Sequence, residues 1–396
     1  MFSFLRQAIT VTLVSIRTIP QRLSSSLVAV VGIAGVVVVF VAVLSIGEGF
    51  KKTMTSAGRT DRAIVMRGGA DSEMSSGLGG PDTETIKQAP GTLHDGERAV
   101  ASSEMFVIID LNRKSTGTAA NVPLRGVDAP VQIVRPEAKI VEGRMLRFGT
   151  NEAVVGRAAN RQFVGTNIGD QIRSGTVTWN VVGIFEMSGS VAETEIWCDV
   201  RVLQGAYNRG NSYQSVLARL DSAASFDGFK NWLTTQPSID VQVRRESEYY
   251  ESQSRALTSL VETIGYGIAV LMGIGAIFGA VLTMYAAVVT RTREIATLRA
   301  LGFGALPVLL SVLGESLVLA LVGGALGGAL AYIGFNGYQT STMNWQSFSQ
   351  VAFAFTVTPA LLIQGLSYAL VMGLLGGFFP AVRAARLPIS KALREL

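Results

Sequence analysis

Apolar residues gather into four long runs, and the charged positions between them set the reading of the chain. From Leu23 to Gly47 there are 25 residues without a charge, enough to cross a hydrocarbon core of about 30 Å at about 1.5 Å per residue. This predicts a first transmembrane helix at 23–47, read as an uncleaved anchor because its apolar core is too long for a signal peptide. Ahead of it, Phe4, Leu5, Ala8, Ile9, Leu13 and Ile16 recur at helical spacing with Arg6, Arg17 and Arg22 off that stripe. Residues 1–22 therefore read as an amphipathic interfacial helix. A helical pattern then runs unbroken over 246–290, with 28 uncharged residues from Thr263. Such a helix would reach about 68 Å, more than one bilayer, so it predicts a stalk that continues into the second span. The third and fourth spans fall at 307–332 and 359–379, and the connection 333–358 lies in a stretch of 67 residues without a charge, Ser316 to Val382.

The segment 48–255 has a different texture, with short alternating runs and many turn residues. Arg62–Arg67 and Val100–Leu111 read as strands around a helix at Pro81–Gln88, which opens on proline and two acids. Tyr213–Leu220, Ser225–Thr235 and Ile239–Arg244 repeat the strand–helix–strand order. Two similar βαβ halves, 48–118 and 206–245, thus frame an inserted β-rich subdomain at 119–205, whose clearest strands are Glu152–Gly156, Asp170–Arg173, Thr176–Phe185 and Glu195–Val200. The glycine-rich stretch Gly68–Gly80 reads as a mobile loop, since it lacks the lysine and helix start of a phosphate cradle. The fold class is a membrane protein with four transmembrane helices and a mixed α/β (α+β) domain between the first two.

Composition sharpens this. At 48% hydrophobic and 16% charged, the 396-residue chain is too apolar for an ordinary soluble protein. The net charge of +5 raises the question of nucleic acid, but residues 48–262 hold 24 basic against 26 acidic side chains. The excess flanks the apolar runs, which is the positive-inside pattern and places both termini in the cytoplasm and the 48–255 domain outside. One cysteine, Cys198, excludes a disulfide framework, and one histidine, His94, excludes a multi-histidine metal site; neither metal nor bound cofactor is expected in this chain. No Gly-Lys-Ser/Thr triplet is present, so no nucleotide-binding motif and no ATP hydrolysis are expected here.

The segment that asks for an explanation is Thr290–Gly304, TRTREIATLRALGFG, between the second and third spans. It carries Arg291, Arg293 and Arg299 with Glu294, and Leu298 and Leu301 for an apolar face. Glu315 is the one ionisable residue inside a span, and a hydrogen-bonded or arginine-paired carboxyl is the simpler reading than a proton relay. Glycines pair at four-residue spacing (Gly275/Gly279, Gly323/Gly327, Gly324/Gly328, Gly373/Gly377), which lets helices approach closely within one subunit or across a dimer seam.

The pattern Arg291-Thr-Arg293-Glu294-Ile295 with Leu298-Arg299-Ala300-Leu301-Gly302, together with Pro380-Ala-Val-Arg383-Ala-Ala-Arg386, Pro388 and Ala392-Leu393-Arg394, resembles the permease subunits of the FtsX/MacB family of ABC transporters. The opening helix, Gly47-Glu48-Gly49 and Glu315 also match, so the resemblance covers nearly the whole chain. It implies a homodimeric permease of the bacterial inner membrane with a porter-like periplasmic domain. It also implies a separate cytoplasmic ATPase that binds ATP and magnesium, docks on 290–306, and transmits its closure along the stalk. Export from the periplasm or outer leaflet, with a membrane-fusion adaptor and an outer-membrane channel as possible further partners, is the leading expectation. The alternatives are an FtsX-like signalling permease that activates a peptidoglycan hydrolase, and a lipoprotein-release permease.

Overall fold

The computed structural model describes residue 12 and residues 23–388. The amphipathic segment expected at 1–22 and the tail residues Leu393 and Arg394 thus fall, residue 12 apart, outside the described residues. The chain divides into two units: Met1–Glu48, Ser259–Tyr338 and Phe355–Leu396 form one, and Gly49–Thr258 with Gln339–Ala354 the other.

Among the described residues four helices, each lying wholly or in large part in the first unit, are long and apolar enough to cross a membrane: Ser26–Thr55, Glu246–Thr290, Ala305–Phe335 and Pro359–Ala385. The first helix begins at Leu23 and runs to Thr55, past the expected end at Gly47, because nothing in Glu48–Thr55 breaks it. The fourth continues through Pro380 to Ala385 instead of stopping at Phe379. An interior proline removes one helical hydrogen bond, and a membrane helix tolerates this where neighbouring helices pack around it.

The glycine pairs resolve into two kinds. A Cβ on Gly323 or Gly327 would collide with the first helix at Val30, Ile33, Ala34 and Val37, and one on Gly324 would meet Ala369 and Leu366 of the fourth. Gly373 and Gly377 lie against Ala320 and Ser316, and Ser316 Oγ donates to the Gly373 carbonyl at 3.0 Å. These pairs serve packing within one chain. Gly275 and Gly279, by contrast, have nothing within 4 Å of an added Cβ.

The second unit is built on a ten-stranded sheet. Its strands are β1 Arg62–Arg67, β2 Ala101–Asn112, β3 Ala119–Val127, β4 Lys139–Gly143, β5 Glu152–Gly156, β6 Gln171–Ser174, β7 Val177–Glu186, β8 Ile196–Asp199, β9 Ser215–Arg219 and β10 Val241–Arg245. They run in the order β10-β1-β9-β2-β3-β8-β5-β7-β4, with β6 on β7. The first four positions, all antiparallel, interleave the two βαβ halves as fourth, first, third and second strand, the order of a split βαβ fold. Helices Gly80–Lys87 and Phe226–Thr234 bury Ile86, Phe229 and Leu233 in that half's own core. The inserted half has separate cores around Trp179, Phe163 and Leu203 and around Phe185, whose ring stacks on Trp197 at 4.1 Å. Long β2 and β3 pair over eight residues, Met105 to Asn112 against Ala119 to Gly126, and join the halves into one sheet.

The structure adds an element to one sequence expectation and corrects another. The connection 333–358 contains an antiparallel hairpin, Gln339–Asn344 with Ser349–Ala354, that belongs to the second unit. Val351 and Phe353 turn inward, and Phe353 meets Phe50 edge-on at 5.6 Å. Asn344 Nδ2 donates to Gln253 Oε1 at 3.0 Å, and Asn121 Nδ2 donates to the Phe348 carbonyl at 2.7 Å. Gly68–Gly80, expected as a mobile loop, holds a 3-10 turn at Glu73–Ser75 and a short strand, Leu78–Gly79, paired with Ser212–Tyr213. Its Ser72, Glu73 and Ser76 are buried, because the Glu73 carboxylate enters an ion cluster described below.

Candidate coupling site

The helix that begins at Glu246 ends at Thr290. Arg291 then leaves helical geometry at φ −106° and ψ 11°, and a nine-residue helix follows at Thr292–Ala300. It closes on a Schellman motif: the Phe303 N–H donates to the Leu298 carbonyl and the Gly302 N–H to that of Arg299. This requires the left-handed φ of +95° that Gly302 adopts and that a side chain would strain.

One face of the short helix is tied to the spans. Arg291 and Glu315 are both buried, and Arg291 Nη1 meets Glu315 Oε2 at 2.8 Å while its Nε reaches Glu294 Oε2 at 3.1 Å. The carboxyl that costs most to place in a span therefore has a guanidinium partner from the segment's first residue. Ile295, Leu298, Val308 and Val312 line a small cavity beside this pair. At the other end, Arg299 Nη1 donates to the carbonyls of Ala385 at 2.8 Å and Leu387 at 3.0 Å, capping the C-terminal end of the fourth helix with a cation as its dipole favours. The segment is thereby fastened to the ends of the stalk helix, the third helix and the fourth helix.

The opposite face carries Arg293, Thr297, Ala300 and Leu301, all exposed, with Leu301 at 72%. Leu298 and Leu301, expected to share one apolar face, are thus divided: the first is half-buried over the cavity and the second stands outward. Arg383, Arg386 and Pro388 of the C-terminal motif are exposed, and Arg383 lies over the Tyr285 ring at 5.4 Å. His94 bonds the Thr92 carbonyl through Nδ1, and no cluster of three metal-binding side chains occurs among the described residues. Cys198 is fully buried, and burial pushes its thiol up.

A second charged constellation, in the sheet unit, was not singled out from the sequence. Buried Arg125 meets Glu73 at 2.7 Å, Glu104 at 2.8 Å and Glu195 at 2.8 Å. Arg135 pairs with Glu104, Ser215 donates to Glu73 at 2.6 Å, and the Trp197 indole donates to Glu195 at 2.8 Å. Burial alone would push the Glu104 carboxyl up, but Arg135 and Arg125 hold it below the usual carboxylate range. The first turn of the helix starting at Glu246 joins this region: the Glu73 N–H donates to the Tyr249 hydroxyl at 3.2 Å, and Arg62 Nε meets Glu246 Oε2 at 2.5 Å. The signal was present as charges set among strand residues, Glu104 in ASSEMFVIID and Arg125 in NVPLRGV, but spacing alone does not say that they converge.

Four spanning helices, an interleaved βαβ domain inserted after the first and a charged segment tied to three helix ends define a permease-type membrane protein. A family profile described as MacB-like periplasmic core domain matches residues 26–236, and one described as FtsX-like permease C-terminal matches residues 266–389. The chain belongs to this MacB/FtsX-like ABC permease family, and the sheet unit is its extracytoplasmic domain. A relative, the macrolide export ATP-binding/permease protein MacB of Bdellovibrio bacteriovorus, is 24% identical over 93% of this chain and 58% of its own length. The pyoverdine export ATP-binding/permease protein PvdT of Pseudomonas putida is 27% identical over 61% of this chain and 37% of its own. The chain thus spans a little over half the length of the first of these relatives and a little over a third of the second. The crystal structure of the periplasmic region of MacB from Actinobacillus actinomycetemcomitans overlaps at TM-score 0.37 and 11% identity, covering 50% of this chain and 94% of that one.

Proposed function

We propose that this chain is the membrane subunit of an ABC-type exporter of the bacterial inner membrane, and that it converts ATP-driven closure of a partner ATPase into motion of its extracytoplasmic domain. Both termini and the 290–306 segment lie in the cytoplasm on this reading, following the positive-inside bias. ATP and magnesium are bound by the partner, and this chain performs no catalysis. The observation that carries the proposal is the fastening of the charged segment to three helix ends through Arg291–Glu315 and Arg299. A load on its outward face, Arg293 and Leu301, is passed to the stalk helix without local yielding. Homodimer formation is supported by the open Gly275/Gly279 face, where a second helix could approach closely. The names of the relatives support export as the output, and a membrane-fusion adaptor and an outer-membrane channel are proposed as further partners.

The test is reconstitution of the full chain with its ATPase in nanodiscs. Leu301→Asp with Arg293→Glu should abolish co-purification and the stimulation of ATP hydrolysis while leaving the thermal midpoint of this chain unchanged. Undiminished binding and stimulation would overturn the assignment.

A further inference from the structure

We propose that the groove between the cytoplasmic-side ends of the stalk helix and the fourth helix binds an anionic phospholipid, with Arg383 and Arg386 on its phosphate. The two helices run side by side: the Tyr368 hydroxyl donates to the Ala269 carbonyl, and about two turns further along the fourth helix a Cβ on Gly376 would meet Ala280 at 2.6 Å. Beyond that point the close packing ends, and Tyr285, Phe378, Phe379, Val382, Arg383 and Arg386 line an open groove.

Its charge is unspoken for. Arg291 and Arg299 are engaged by Glu315, Glu294 and two carbonyls, whereas Arg383 and Arg386 have no carboxylate partner among the described residues. Arg383 is held in place by the Tyr285 ring at 5.4 Å. Guanidinium forks match phosphate oxygens bidentately, and basic pockets between spanning helices suit anionic headgroups.

Depth selects the occupant. Phe379, 61% exposed, lies one helical turn before Arg383, about 6 Å deeper along the axis, and Phe378 is 48% exposed beside it. Cations above exposed rings reproduce the order of phosphate above acyl chain. A water-soluble partner would reach Arg386 but not Phe378. The acid that a second copy of this chain would bring near that depth, Glu315, is already held by Arg291 at 2.8 Å, and Thr263–Thr290 and Ser316–Val382 carry none.

Native mass spectrometry of the full chain, titrated with phosphatidylglycerol or phosphatidylcholine, tests this. The wild type should retain phosphatidylglycerol selectively. Arg383→Gln with Arg386→Gln should weaken it about 30-fold, for two lost guanidinium contacts, and leave phosphatidylcholine unchanged. Arg383→Lys with Arg386→Lys should keep the selectivity, and Phe378→Ala with Phe379→Ala should weaken both lipids. Equal phosphatidylglycerol binding by the glutamine variant would overturn the proposal. So would displacement by inorganic phosphate at matched concentration, which would mark a free-anion site. Because no ATPase is needed to read lipid retention, the result stands apart from that of the coupling test.

Discussion

Arg291 and Glu315 form a charged pair buried within the membrane unit, and such a pair punishes the loss of one partner more than the loss of both. Arg291→Ala should lower stability by about 3–5 kcal/mol, by removing the guanidinium that meets the buried Glu315 carboxylate at 2.8 Å. Arg291→Met with Glu315→Leu should recover most of that loss. The check is a double-mutant cycle on thermal midpoints in detergent. In the sheet unit the carboxyl of Glu104 is held below its ordinary value of 4.5 by Arg135 and Arg125 against the push of burial. A depressed folded pKa contributes stability above the ordinary value and loses it as pH falls through the folded one. Acidification below about 4.5 should therefore destabilise the full chain, and Glu104→Gln should flatten that acid limb. At this scale the sequence named Arg291, Glu294 and Glu315 but could not join Glu73, Glu104, Arg125 and Glu195, which lie on four separate segments. Convergence of that kind depends on strand order.

Among the elements, the long helices and most strands were legible because their periodicity is strong. Val, Ile and Trp alternate through β7, and no proline or charge cluster interrupts Glu246–Thr290 beyond its polar first turns. What was not legible was which faces meet. The hairpin at Gln339–Ala354 looks like an uncharged linker until Val351 and Phe353 are seen to pack inward. The glycine pairs likewise look alike along the chain and separate only through their neighbours. Gly376→Ala should destabilise by about 1–3 kcal/mol, because its methyl would overlap Ala280. Gly275→Ala, with open space around it within one chain, should spare the chain's own packing and weaken the homodimer instead, read as a smaller dimer fraction by size-exclusion chromatography. Comparing the two variants by thermal unfolding and by dimer fraction checks this assignment of faces.

Across the chain, the 290–304 segment proposed as the input follows directly on one 45-residue helix, whose first turn is held through Glu246 and Tyr249 by the ion cluster and sheet of the extracytoplasmic domain. Breaking the helix at an exposed position should uncouple the ends without unfolding either. Leu260→Pro, at a site 56% exposed, costs about 3 kcal/mol locally and should leave ATPase binding intact while abolishing export. The most direct test of coupling is a distance measurement. In a Cys198→Ser background, Lys230→Cys carries a spin label on the extracytoplasmic domain, and the label-to-label distance of the homodimer is followed in nanodiscs with the partner ATPase. The account predicts a distance distribution that differs between the ATP-trapped and nucleotide-free states, with the difference abolished by Leu301→Asp with Arg293→Glu. A distribution that stays the same through the ATPase cycle, or a shift that survives in the variant, would contradict it.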